Sequence, residues 1–155
     1  LSFFSSIPKA GTLEMTVPEM GNAQRARILI VEDHESNREL MKEYLETYGG
    51  WQVSAIALGA EFIPAIQSFQ PHLVLLDLKL PDMDGYSLLQ QLQQDWATIP
   101  VFVVSAFAFQ ADQERAIKLG ARRYFVKPTS LSRLHQAIRE ELQLLEPFSG
   151  EINGS

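Results

Sequence analysis

Four places in the chain carry polar residues that could act on one substrate: Glu32-Asp33, Asp77, Ser105, and Lys127 followed by Pro128. Carboxylates gathered at one point repel, and each raises its neighbours' affinity for a proton unless a cation intervenes. The chain has no cysteine, and His34 is the only histidine near these positions. The donors are therefore hard oxygens, which favour Mg²⁺ over zinc. A Mg²⁺ held by one or two carboxylates keeps positions for phosphate oxygens. An ammonium from Lys127 could pair with one phosphoryl oxygen and the Ser105 hydroxyl could donate to another. Such a set suits phosphoryl transfer onto an aspartate.

Singly, each residue has an ordinary reading. An Asp after a strand is most often a turn former or a cap. Glu32-Asp33 could simply favour the start of a following helix. Lys127-Pro128 alone reads as a turn, Ser105 alone says little, and His34 fits a solvated loop. Their common placement, each directly after an apolar run, is what favours a shared site.

Those runs are the elements that must position the site. Ile28-Leu29-Ile30-Val31, Trp51 to Ala55, Leu73 to Leu76, Val101 to Val104 and Tyr124 to Val126 are short, rich in branched or aromatic residues, and continuous rather than alternating. Strands covered by helices on both faces have this character. Between them lie five helical stretches. Glu35 to Tyr48 spaces Leu40, Met41, Tyr44, Leu45 and Tyr48 along one face and stops at Gly49, a plausible residue just past the helix end. Gly59 to Phe69 contains Pro64, tolerated only in a first turn. Tyr86 to Gln94 and Gln110 to Leu119 follow. Leu131 to Leu145 carries Leu131, Leu134, Ile138, Leu142 and Leu145 as one apolar stripe. Five β–α alternations imply an α/β fold with a parallel sheet flanked by helices. Ligands of such sheets bind beyond the carboxyl ends of the strands, where all four polar places fall.

With 155 residues, 46% hydrophobic and 21% charged, the chain fits one globular domain. A net charge of -6 argues against a nucleic-acid surface. No apolar run approaches the ~20 residues of a membrane helix, and the first residues lack the basic flank of a signal peptide. The absence of cysteine suits a cytoplasmic location. Residues 1–26, with Pro8, Gly11, Pro18 and Gly21, read as a linker or tail, and 27–146 as the domain. Residues 147–155 read as a C-terminal tail. The opening Leu1 fits either a piece of a longer protein or upstream sequence before a start at Met15 or Met20.

Taken together, four segments resemble the receiver domains of two-component response regulators. They are Ile28–Asp33, Pro71–Gly85 (PHLVLLDLKLPDMDG), Ile99–Ala106 and Gly120–Pro128. The resemblance runs from Arg27 to Leu145. It implies a flavodoxin-like (βα)5 fold with strand order 2-1-3-4-5 and a phosphorylation switch that is not a metabolic enzyme. Asp77 would accept the phosphoryl group. Asp33, Asp77 and the backbone carbonyl of Lys79 would bind Mg²⁺, with Glu32 acting through water. Lys127 would pair with the phosphoryl group across a cis Lys127-Pro128 bond. Ser105 and Tyr124 would form the switch: Ser105 drawn to the phosphoryl group, Tyr124 turning inward into the vacated space. The implied partners are a histidine kinase or histidine phosphotransfer protein, and a downstream protein on the surface of the fourth helix, fifth strand and fifth helix. A homodimer is compatible with the family.

His72 stands where the family commonly has Asp, and Pro64 falls in the second helix. Phe107 is bulky near the site, where it is expected to hinder water from reaching the acyl phosphate. Glu32 to Leu40 is similar to receivers attached to hybrid histidine kinases. With about ten residues after Leu145, the chain reads as a stand-alone shuttle or a receiver taken from a larger protein. Two other functions fit the residues less well. A receiver-like interaction module would work without phosphorylation, and the complete polar set argues against it. A Mg²⁺ phosphohydrolase with an aspartyl intermediate would need a second acid two residues after its nucleophile, where Lys79 stands.

Overall fold

A computed structural model of the chain describes residues 25–145. The expected tails, apart from Arg25 and Ala26, lie outside them. Ala26, expected in the linker, is buried in the core, and its carbonyl accepts the N–H of Gln52 (3.0 Å).

Five parallel strands, β1 (Arg27–Val31), β2 (Gln52–Ile56), β3 (Leu73–Leu76), β4 (Val101–Ser105) and β5 (Arg123–Val126), form one sheet in the order 2-1-3-4-5. They alternate with α1 (Glu35–Tyr44), α2 (Phe62–Phe69), α3 (Gly85–Asp95), α4 (Gln110–Lys118) and α5 (Leu131–Leu144). This is the expected α/β architecture.

The continuous apolar runs are explained by two separate hydrophobic layers. Successive side chains of a strand point to opposite faces. Ile28 and Ile30 of β1, Leu73 and Leu75 of β3, and Phe102 and Val104 of β4 pack with Met41 of α1 and Leu134, Ile138 and Leu142 of α5. The intervening Leu29, Val31, Val74, Leu76, Val101 and Val103 pack with Phe62 and Ile66 of α2, Leu88, Leu89 and Leu92 of α3, and Ala116 of α4. Each fully buried Leu or Ile contributes about 1.5–3 kcal/mol relative to exposure.

Three local expectations need correction or refinement. The apolar face expected on α1 is narrower than its spacing suggests: Met41 and Leu45 are buried, while Leu40 is 56% and Tyr48 66% exposed. After Tyr44 the helix widens into a π turn, Leu45–Gly49, and the changed pitch removes Tyr48 from the inner face. Gly50, not Gly49, takes the left-handed conformation (φ 70) beyond it. Pro64 lies in the first turn of α2, after a 3₁₀ turn at Gly59–Glu61, so it does not break the helix.

Candidate functional site

Backbone pairing runs past the strand ends and carries the polar residues to one edge. The N–H groups of Glu32, Asp77 and Lys127 donate to the carbonyls of Ile56 (3.0 Å), Val31 (3.0 Å) and Ser105 (2.8 Å). Glu32 and Asp77 are thereby buried, 1% and 5% exposed, while Asp33 beside them faces solvent.

Lys127 lies between the two buried acids. Its Nζ is 2.6 Å from Glu32 Oε1 and 2.9 Å from Asp77 Oδ2. The second oxygen of each acid accepts a backbone amide: Asp77 Oδ1 from Lys79 (3.0 Å), Glu32 Oε2 from His34 (2.9 Å). Burial alone would push the Lys127 ammonium towards deprotonation. Its hydrogen bonds to Asp77 and Glu32 outweigh that and hold its pKa above the ordinary value. The bond between Lys127 and Pro128 is cis.

Ligand oxygens of Glu32, Asp33 and Asp77 lie within 4.8 Å of one another. Three carboxylates against one ammonium leave two negative charges uncompensated, in a set of hard oxygens. That donor set fits a divalent cation such as Mg²⁺.

Ser105, wholly buried at the end of β4, accepts the N–H of Phe107 on its Oγ (3.1 Å). Tyr124 donates its hydroxyl to the Phe107 carbonyl (2.7 Å). Burial, the largest cause, raises the Tyr124 pKa. The half-buried Tyr124 ring already packs on the core layer of α2, α3 and α4. The partly buried Phe107 ring packs on the same layer. Ala106, next to Ser105, is exposed.

Several contributors escaped the sequence reading. Arg38 donates to the carbonyls of Glu32 (3.0 Å) and Asp33 (3.2 Å), fixing the turn that presents both acids. Its place in the first turns of α1 was the available signal. Asp82 accepts the N–H groups of Gly59 (2.8 Å) and Ala60 (2.9 Å), joining the loop after Asp77 to the entrance of α2. Those amides hold its pKa below the usual value. Gly85 donates to the Leu78 carbonyl (3.0 Å) and has no room for a side chain, since a Cβ would lie 2.5 Å from Leu78 Cα. His34 meets Ser36 at the surface (3.1 Å), in keeping with a solvated loop residue. His72 Nδ1 accepts the N–H of Arg27 (2.9 Å), an acceptor role that an Asp could also fill.

Residues 28–139 match the family described as the response regulator receiver domain. The chain belongs to that family. The receiver is 32% identical over 130 residues to the probable transcriptional regulator ycf27 of Porphyridium aerugineum, covering 84% of this chain and 53% of that protein. It is 32% identical over 117 residues to the polar-differentiation response regulator DivK of Brucella ovis, covering 74% of this chain and 94% of that protein. A solved CheY-like receiver domain from Methanospirillum hungatei superposes with a TM-score of 0.73 at 29% identity, covering 82% of this chain and 98% of that one. The chain spans about half the length of the transcriptional-regulator relatives it matches. As a receiver it is a signalling domain of the two-component kind. Among the described residues no helix is long and apolar enough to cross a membrane.

Proposed function

We propose that this receiver is a phosphorylation switch that takes a phosphoryl group from a phosphohistidine onto Asp77. The observation that carries the reading is the position of Lys127 Nζ, shared between Asp77 and Glu32 beside a third carboxylate. In the transfer, an Asp77 carboxylate oxygen forms the new P–O bond while the donor's P–N bond breaks. Asp33 and Asp77 would hold Mg²⁺ with the Lys79 carbonyl, Glu32 acting through water, and the ion would supply neutralisation of the phosphoryl charge. Lys127 would turn from the carboxylate pair to a phosphoryl oxygen. Ser105 would exchange the Phe107 N–H for another phosphoryl oxygen, loosening the loop on which Tyr124 is also anchored. The domain catalyses only its own modification and its reversal.

Two surfaces suit the two kinds of partner. A groove of ≈ 410 Å³ beside the site, lined by Glu32, Asn37, Leu40, Met41, Lys127 and Leu131, would receive the phosphodonor, with the exposed Leu40 as an apolar anchor. The α4–β5–α5 face, where Ile117, Lys118 and Tyr124 border a wider groove, would present the state to a downstream protein. A cytoplasmic setting fits both.

Incubation with acetyl phosphate and Mg²⁺ should add the mass of one phosphoryl group, and Asp77→Asn should abolish the gain. A wild-type chain that stays unmodified would instead be a receiver-like interaction module.

A further inference from the structure

α4 is weakly held by apolar contacts. Of Gln110–Lys118 only Ala116, with its single methyl, is buried, and Ile117 is 49% exposed. What ties the helix to the rest of the domain includes one side chain of α3. Tyr86, 6% exposed, donates its hydroxyl to Asp112 Oδ1 (3.0 Å), and the Arg115 guanidinium lies 3.9 Å from the centre of its ring. Burial, followed by the bond to Asp112, pushes the Tyr86 pKa to about 12, so the hydroxyl keeps its proton and remains a donor. A desolvated guanidinium over a tyrosine face adds an attraction of its own.

Tyr86 is also joined to the acceptor. Lys79 N–H donates to Asp77 Oδ1, Lys79 pairs with Asp84 in an antiparallel bridge, and Asp84 Oδ1 accepts the N–H of Tyr86 (3.1 Å). The Gly85–Leu78 bond closes the same loop. From the Asp77 carboxylate to the Tyr86 hydroxyl the connections are short and nearly all hydrogen-bonded.

We propose that Tyr86 is a positioning residue that fixes α4 to the acceptor loop through Asp112 and Arg115, giving phosphorylation a route to the α4 surface beside the Ser105–Tyr124 pair. The proposal rests on Asp77 being the acceptor. Converting the Asp77 carboxylate to an acyl phosphate alters the group that Lys79 N–H holds, and the loop to Gly85 adjusts. Hydrogen bonds weaken steeply once length or angle leaves its narrow range. A small displacement of Tyr86 therefore loosens a helix that buries a single side chain of its own.

Hydrogen–deuterium exchange of residues 110–118 in the full chain, with and without Mg²⁺ and acetyl phosphate, tests this. Tyr86→Phe removes only the hydroxyl and should speed exchange there about fivefold without phosphorylation, the effect of losing one ordinary hydrogen bond. Asp112→Ala should do the same. Asp112→Asn keeps an acceptor oxygen and should stay within about twofold of wild type. Phosphorylation should speed α4 exchange in wild type, and this increment should shrink in Tyr86→Phe and Asp112→Ala. A residue with a merely structural role would leave the increment unchanged. If wild type takes up the phosphoryl group while the variants show wild-type exchange and increment, the Tyr86 route is wrong and the acceptor assignment stands. If wild type takes up none, both fall. Should Tyr86→Phe fail to fold, the two half-buried Asp112 variants decide alone.

Discussion

Ser105 and Tyr124 hold the same residue from two sides: Ser105 Oγ accepts the Phe107 N–H, and the Tyr124 hydroxyl donates to the Phe107 carbonyl. Movement of either is felt by the short segment between β4 and α4. Tyr124→Phe deletes one of the two bonds and should cost about 0.5–1.5 kcal/mol in urea unfolding. Uptake of phosphoryl groups should persist, because the hydroxyl bonds Phe107 rather than Asp77. Loss of uptake in this variant would place Tyr124 in the chemistry.

Asp33 is exposed whereas Glu32 and Asp77 are buried, so the three acids should separate in their effects. Asp33→Asn should change stability without metal by no more than about 0.5 kcal/mol, as surface substitutions do. Wild type in Mg²⁺ at a hundred times its dissociation constant should gain about 2.7 kcal/mol, and the variant should lose most of that gain. Equal stabilisation of both proteins by Mg²⁺ would remove Asp33 from the ligand set.

The raised pKa of Lys127 gives an alkaline signature. A cation whose pKa is raised by folding contributes stability that is complete below its unfolded value, here 10.5, and is lost as pH climbs through the folded one. From neutral pH up to about 10.5 the stability difference between wild type and Lys127→Met should thus be level, and above that it should shrink. Subtracting the variant cancels the tyrosines, which both proteins share. A difference that stays flat through pH 11.5 would contradict the ion pairing.

His72 works in the opposite direction. Burial, then the charge of Arg27, lowers its pKa, and its Nδ1 must be unprotonated to accept the Arg27 N–H. Its contribution is present above the ordinary value of 6.5 and disappears as pH falls through the lower folded value. His72→Asn offers an acceptor that does not titrate. Its melting temperature should fall less between pH 7.5 and pH 5 than that of wild type, and an identical fall in both would exclude His72 as the source.

Gly85 is a steric requirement of the loop after Asp77. Gly85→Ala drives a methyl into the Leu78 backbone, which cannot swing aside as a side chain could. Overpacking of this kind costs about 1–3 kcal/mol. Chemical denaturation measures it, and a neutral result would mean that the loop has slack.

The sheet and the convergence of Glu32, Asp77 and Lys127 were legible because β–α alternation and continuous apolar runs are local signals of one architecture. The burial of individual α1 residues was not. Helical spacing assigns Leu40 and Tyr48 to an apolar face, but the π turn at Leu45–Gly49, an accommodation without a sequence period, takes Tyr48 off it. Leu40 precedes that turn and is exposed without its help. Arg38, Asp82 and Tyr86 were missed for a related reason. Each acts through backbone groups or through a residue on another helix, and their types at those positions are ordinary. Phe107 was noticed for its bulk, whereas its observed polar role belongs to its peptide group, which any residue but proline supplies in full.

The alternation of side chains across β1, β3 and β4 makes the sheet a partition with a different furnishing on each side. Substitutions that fill or empty space under α1 and α5 need not disturb the packing under α2, α3 and α4. A lineage could therefore remodel the layer under α1 and α5 while leaving the layer that carries α4 untouched, with only the edge that holds Glu32, Asp77 and Lys127 common to both.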